Sequence, residues 1–108
     1  MNISNLAHNL GIETRDYKSL VELFLQTASD DLQKLDSAIA ERDTSRVSQI
    51  AHHIKGAAAN LELQKIAAAV RKAEQCAKKD DLNEASRAVR NIGAELEALS
   101  RALRKDPD

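Results

Sequence analysis

Apolar residues recur along this chain at three- and four-residue steps, the spacing that gives a helix one buried stripe. Leu6, Leu10 and Ile12 predict a short amphipathic helix between Asn2 and Ile12, ending near Gly11 and lying across one end of a larger body. A longer stripe follows in Leu20, Val21, Phe24, Ala28, Leu32, Leu35 and Ile39, with Thr14 or Asp16 placed to cap its helix. Glu41-Arg42-Asp43-Thr44 breaks that stripe, and Asp43 or Thr44 can cap the next helix, from about Ser45 to Leu61. Its apolar side is Val47, Ile50, Ala51, Ile54, Ala58 and Leu61. After a tight link around Glu62–Gln64 comes the stripe Leu63, Ile66, Ala67, Val70, Ala73 and Ala77, with Lys78 and Lys79 meeting the helix dipole at its end. Asp81, with Glu84 three residues on, reads as a capping box for a last helix bearing Leu82, Ala85, Val89, Ile92, Leu96, Leu99 and Leu103. Arg101 to Asp108 is polar and expected to fray.

Four long amphipathic helices with short connections predict an all-α fold, an antiparallel up-down-up-down four-helix bundle with a short N-terminal helix. The expected organisation is one domain over residues 1–108, with a core bundle at about 14–104. Composition agrees: 43% apolar and 31% charged residues suit a real core, while 2% aromatics, one Pro and three Gly disfavour a sheet protein. The net charge of −1 points to neither nucleic acid nor a membrane surface as partner. Without a long apolar run or a signal-peptide core, the chain is expected to be soluble and cytoplasmic. Cys76 is alone and has no evident activating neighbour, so a redox role is not expected.

The stretch Ala51-His52-His53-Ile54-Lys55-Gly56-Ala57-Ala58-Ala59-Asn60-Leu61 carries the candidate chemistry. At about 100° per residue, His52 lies roughly 150° from the centre of the apolar stripe and so faces solvent. Ser45, Ser48 and Gln49 precede it on that face, and Lys55, Gly56 and Ala59 follow. A glycine inside a helix costs about 1 kcal/mol relative to alanine. Close approach of another molecule would give Gly56 its reason. His53, about 100° further round, is expected at the edge of the stripe, packing against a neighbouring helix; His8 is expected at the surface.

His52-x-Ile54-Lys55-Gly56, preceded by Ala51 and followed by small residues, resembles the signature of histidine-containing phosphotransfer (HPt) domains. In that family the first histidine of the motif accepts a phosphoryl group from a receiver-domain aspartate and passes it to another. The resemblance implies His52 as phosphoacceptor and receiver domains as partners, with a hybrid histidine kinase as a further candidate. It also implies no cofactor of the chain's own, the receiver bringing Mg²⁺ and the acidic pocket. One departure is that Glu62 stands where many members carry glycine at the end of this helix.

The residues fit that chemistry. A neutral imidazole nitrogen can attack phosphorus near pH 7, and transfer relies on positioning and on charge placed at the phosphoryl oxygens. Lys55, one turn away, can supply that charge. Ser48, Gln49, Gly56 and Ala59, with Arg71, Glu74 and Gln75 at the same height on the antiparallel next helix, form the expected docking surface. Glu74 has two readings: it orients the imidazole, or it forms a plain ion pair with Lys78. A helical adaptor that is never phosphorylated is the competing class. It would need large apolar anchors, which the His52/Lys55/Gly56 face lacks. A metal-dependent bundle enzyme would need paired Glu and Glu-x-x-His ligands, and no such pattern or Gly-rich phosphate loop is present.

Overall fold

Each of these stripes forms a helix. The computed structural model describes residues 2–106. It contains α1 (Ile3–Asn9), α2 (Thr14–Ala40), α3 (Thr44–Asn60), α4 (Gln64–Lys78) and α5 (Leu82–Lys105), and no strand among the described residues. α2 packs on α3 and α5, and α4 packs on the same two, which is the expected four-helix bundle. α1 rests on α2. It shares surface grooves with the α3–α4 turn and with the end of α5, so it lies at that end of the bundle. The body measures 42 × 21 × 17 Å.

Every α4 stripe position is buried, as are Val47, Ala51, Ile54 and Ala58 of α3 and the α5 stripe from Leu82 to Leu99. Each fully buried aliphatic side chain contributes about 1.5–3 kcal/mol of transfer free energy. The alanines Ala51, Ala58, Ala73 and Ala77 let α3 and α4 approach closely. On α2 the expectation needs correcting. Leu20 is 47% exposed, while Tyr17, Asp31 and Ala38 occupy the buried side. On α1, Ile3 and Ala7 are buried and Leu6 only half-buried, as are Leu10 and Ile12 in the connection that follows it.

The helix starts follow the predicted caps in two cases. Asp43 accepts from the Arg46 amide at 3.1 Å and Asp81 from the Glu84 amide at 3.1 Å. The capping box at α5 is only half formed, because Glu84 bonds Arg87 at 2.8 Å and the Asp81 amide donates to Cys76. α2 starts after Glu13 rather than after Thr14 or Asp16, with no side-chain cap.

All four connections use one device. Gly11, Arg42, Glu62 and Asp80 take positive φ, between 57° and 71°. The following amides of Ile12, Asp43, Leu63 and Asp81 then reach back to Ala7, Ala38, Ala58 and Cys76. Three of these left-handed positions carry a side chain, each at a cost of about 1–2 kcal/mol. Glu62, at φ 58°, therefore adopts a conformation that glycine reaches freely. The turn is also tied to α2: the buried Tyr17 hydroxyl donates to the Leu61 carbonyl at 2.7 Å. Burial, followed by the Glu62 charge, raises the phenol's pKa.

The end of α5 is not frayed through Lys105. Ala102 and Leu103 are half-buried, and Lys18 on α2 pairs with Asp106 at 2.7 Å and donates to its carbonyl at 3.2 Å. Pro107 and Asp108, the rest of the expected polar end, lie outside the described residues.

Candidate functional site

Burial of Val47, Ala51, Ile54 and Ala58 turns the opposite face of α3 outward. The His52 side chain is 73% exposed there. It lines a groove of about 550 Å³ between α3 and α4, with Thr44, Ser45, Ser48, Gln49, Glu74, Ala77 and Lys78. α4 runs antiparallel to α3 and brings Glu74 beneath the imidazole.

The electrostatics centre on Glu74, whose side chain is 7% exposed. Its Oε1 accepts from Lys55 Nζ at 2.8 Å. Its Oε2 faces His52 Nδ1 at 3.4 Å and Lys78 Nζ at 4.0 Å. The hydrogen bond from Lys55 holds the Glu74 carboxyl below its ordinary pKa, overcoming burial, which acts the other way; the charges of Lys55, Lys78 and His52 add to the lowering. An ionised carboxylate beside Nδ1 favours the proton on that nitrogen, which leaves Nε2 with its lone pair free. The contact at 3.4 Å is a few tenths of an ångström longer than a full N–H···O bond. The arrangement is an exposed imidazole, a buried carboxylate facing it, and two cations within reach of that carboxylate.

His53 departs from expectation. Its side chain is 68% exposed, and it meets α2 through a polar contact, Nδ1 to Asp31 Oδ2 at 3.2 Å, rather than by packing. Asp31 itself is buried. The expected docking positions also separate. Ser48 and Gln49 line the His52 groove; Gly56, Ala59, Arg71 and Gln75 are exposed beside it but do not line it. Glu74 lines that groove as well, but buried beneath the histidine rather than exposed. Of its two readings, the structure contains parts of both: it lies against His52 and near Lys78, and its shortest bond is to Lys55. His8 is exposed and Cys76 half-buried.

The surroundings of the two histidines hold more than the motif. Lys78, expected as an ion-pair partner of Glu74, also lines the His52 groove. Asp31 falls between Ala28 and Leu35 at helical spacing, a carboxylate within an apolar stripe. Leu20 and Leu23, 47% and 61% exposed, flank an apolar groove of about 330 Å³ between α2 and α3 that His53, Ile54 and Ala57 also line. Among the described residues, no three His, Cys, Asp or Glu side chains converge on a point that could hold a metal ion, and no helix is long and apolar enough to cross a membrane.

A family model described as Hpt domain matches residues 19–102 of the chain. No curated protein and no solved structure matches it.

Proposed function

The chain belongs to the Hpt domain family, the histidine-containing phosphotransfer modules of two-component systems, and on that premise we propose that His52 accepts a phosphoryl group from one receiver aspartate and passes it to another. One observation carries this reading. His52 stands open on α3 with Nδ1 turned to a buried carboxylate that Lys55 keeps ionised. The carboxylate stabilises the ring as it gains positive charge during attack by Nε2. Lys55, on the same face, supplies charge to the phosphoryl oxygens. Gly56, with nothing within 4 Å of where a Cβ would stand, leaves room for the rim of the partner's site.

The partner in this proposal is a receiver domain, free or attached to a hybrid histidine kinase, and it brings the Mg²⁺. It seats over Ser48, Gln49, Gly56, Ala59, Arg71 and Gln75. Because His53 adjoins His52 and lines the Leu20/Leu23 groove, the same partner covers that apolar groove. The groove supplies anchors that a non-phosphorylated adaptor would also use, so phosphorylation decides between the two.

The experiment incubates the protein with a panel of phosphorylated receivers and assays for acid-labile, base-stable phosphate. His52→Gln should abolish acceptance without unfolding the bundle, since the side chain is exposed. His53→Gln should retain most of it. Label retained in the first variant, or lost in a folded second one, would assign the acceptor wrongly. Receiver binding with no label in the unchanged protein would favour the adaptor.

A further inference from the structure

We propose that Lys78 is a positioning residue for phosphoryl transfer, taking over the buried Glu74 carboxylate when Lys55 turns from it to the phosphoryl group. This rests on His52 as acceptor. The two oxygens of Glu74 are held differently. Oε1 is closed by Lys55 at 2.8 Å, whereas Oε2 has His52 Nδ1 at 3.4 Å and Lys78 Nζ at 4.0 Å, both short of full contact. The cation best placed on the histidine's own helix is therefore already committed, and a second one waits at the unfilled oxygen.

The transfer step sets the demand. His52 Nε2 attacks phosphorus in line, an N–P bond forms, and the O–P bond to the receiver aspartate breaks. The aspartate carboxylate leaves with the bonding electrons. The Nδ1 proton stays, so the ring becomes cationic against Glu74 while the phosphoryl oxygens arrive with their negative charge. As Lys55 turns to those oxygens, its bond to Glu74 Oε1 weakens. Glu74 is 6% exposed, so water replaces the ammonium at Oε1 poorly, and the loss of that charged donor is penalised even with the cationic ring facing Oε2. If that penalty fell wholly on the transition state, the rate would drop on the order of tenfold.

Lys78 removes the penalty by moving about 1 Å, from 4.0 Å to ordinary ion-pair distance. It sits one turn after Glu74 on α4, and its side chain is 65% exposed, so no packing holds it back. In the resting site its pair with Glu74 is long and solvated and contributes little. In the phosphorylated site the same pair replaces a lost one. An interaction stronger in the transition state than in the ground state accelerates the step. Lys78 thus acts through Glu74, as Lys55 acts on the phosphoryl group.

The test uses the whole chain and phosphoramidate, a donor that releases ammonia as its P–N bond breaks and needs no docking. Phosphohistidine formation and decay at His52 are measured in the unchanged protein, Lys78→Met, Lys78→Arg, Glu74→Gln and Lys78→Met/Glu74→Gln, each kept well below its own melting transition, and the two Lys78 substitutions are checked for melting unchanged from their parents. Lys78→Met should slow formation or speed decay by about threefold to tenfold. Lys78→Arg should restore most of the loss. In the Glu74→Gln background, Lys78→Met should add nothing, because an amide needs no counter-charge. Label on His52 unaffected by Lys78→Met would overturn this inference alone. An equal effect in both backgrounds would also overturn it, making Lys78 a direct phosphoryl contact. No label on His52 in the unchanged protein, with label elsewhere, would overturn the acceptor reading and this inference with it.

Discussion

Gly56→Ala and Gly56→Gln separate folding from docking at one residue. Gly56 is inside α3, its φ is not positive, and an added Cβ meets nothing within 4 Å. Nothing local therefore opposes the usual gain, about 1 kcal/mol for alanine in a helix interior and about half that for glutamine. With 108 residues at about 2.1 cal/mol/K each, the unfolding entropy is near 0.23 kcal/mol/K, so 1 kcal/mol raises Tm by about 4 °C. Thermal melts followed by helical circular dichroism read that shift. Function should move the other way. The side chain would stand one turn from His52, where the partner must close for in-line transfer, and a misplacement of about 1 Å costs on the order of a hundredfold. Rapid-quench transfer from a phosphorylated receiver should find Gly56→Gln nearly inactive and Gly56→Ala intermediate, while phosphoramidate still labels His52 in both. A native receiver rate in Gly56→Gln would refute the docking argument. A lowered Tm in Gly56→Ala would refute the structural one.

Further outcomes follow from the surrounding contacts. Tyr17→Phe removes the donor to the Leu61 carbonyl and should destabilise the bundle by about 1 kcal/mol in urea unfolding; no change would mean that water serves that carbonyl equally well. Glu74 has a folded-state pKa below its unfolded one, so its contribution is complete above the ordinary carboxylate range and is lost as pH falls through the lowered value. Glu74→Gln should therefore lose about 1–3 kcal/mol near pH 7, with the deficit shrinking in acid; a deficit constant from pH 7 to 3 would contradict the linkage. Leu20→Ser with Leu23→Ser, both exposed, should leave stability within about 1 kcal/mol and slow receiver transfer at least tenfold without affecting phosphoramidate labelling. Unchanged receiver transfer would remove the α2–α3 groove from the interface.

The family's motif was legible because it lies within one helix. The spacing of Val47, Ala51, Ile54 and Ala58 fixes which side of α3 is buried, and His52, Lys55 and Gly56 are then exposed or half-exposed by geometry alone. The same local logic found four long helices and the Asp43 and Asp81 caps.

What one helix presents to another was not legible. The edge of an apolar stripe depends on where neighbours sit, so α2 shows Leu20 to solvent and buries Asp31, though both flank the same stripe. The left-handed turns at Arg42, Glu62 and Asp80 carry no glycine signal; backbone bonds across each chain reversal hold them against local preference. The expected antiparallel pairing puts Glu74 at the height of His52 but gives neither its burial nor its bond to Lys55. Sequence alone determined the helix that offers the histidine. Only the packing of α4 on α3 decided that a buried carboxylate, held by one lysine and faced by another, lies beneath it, because that contact joins side chains 19 and 22 residues apart that no single helix brings together.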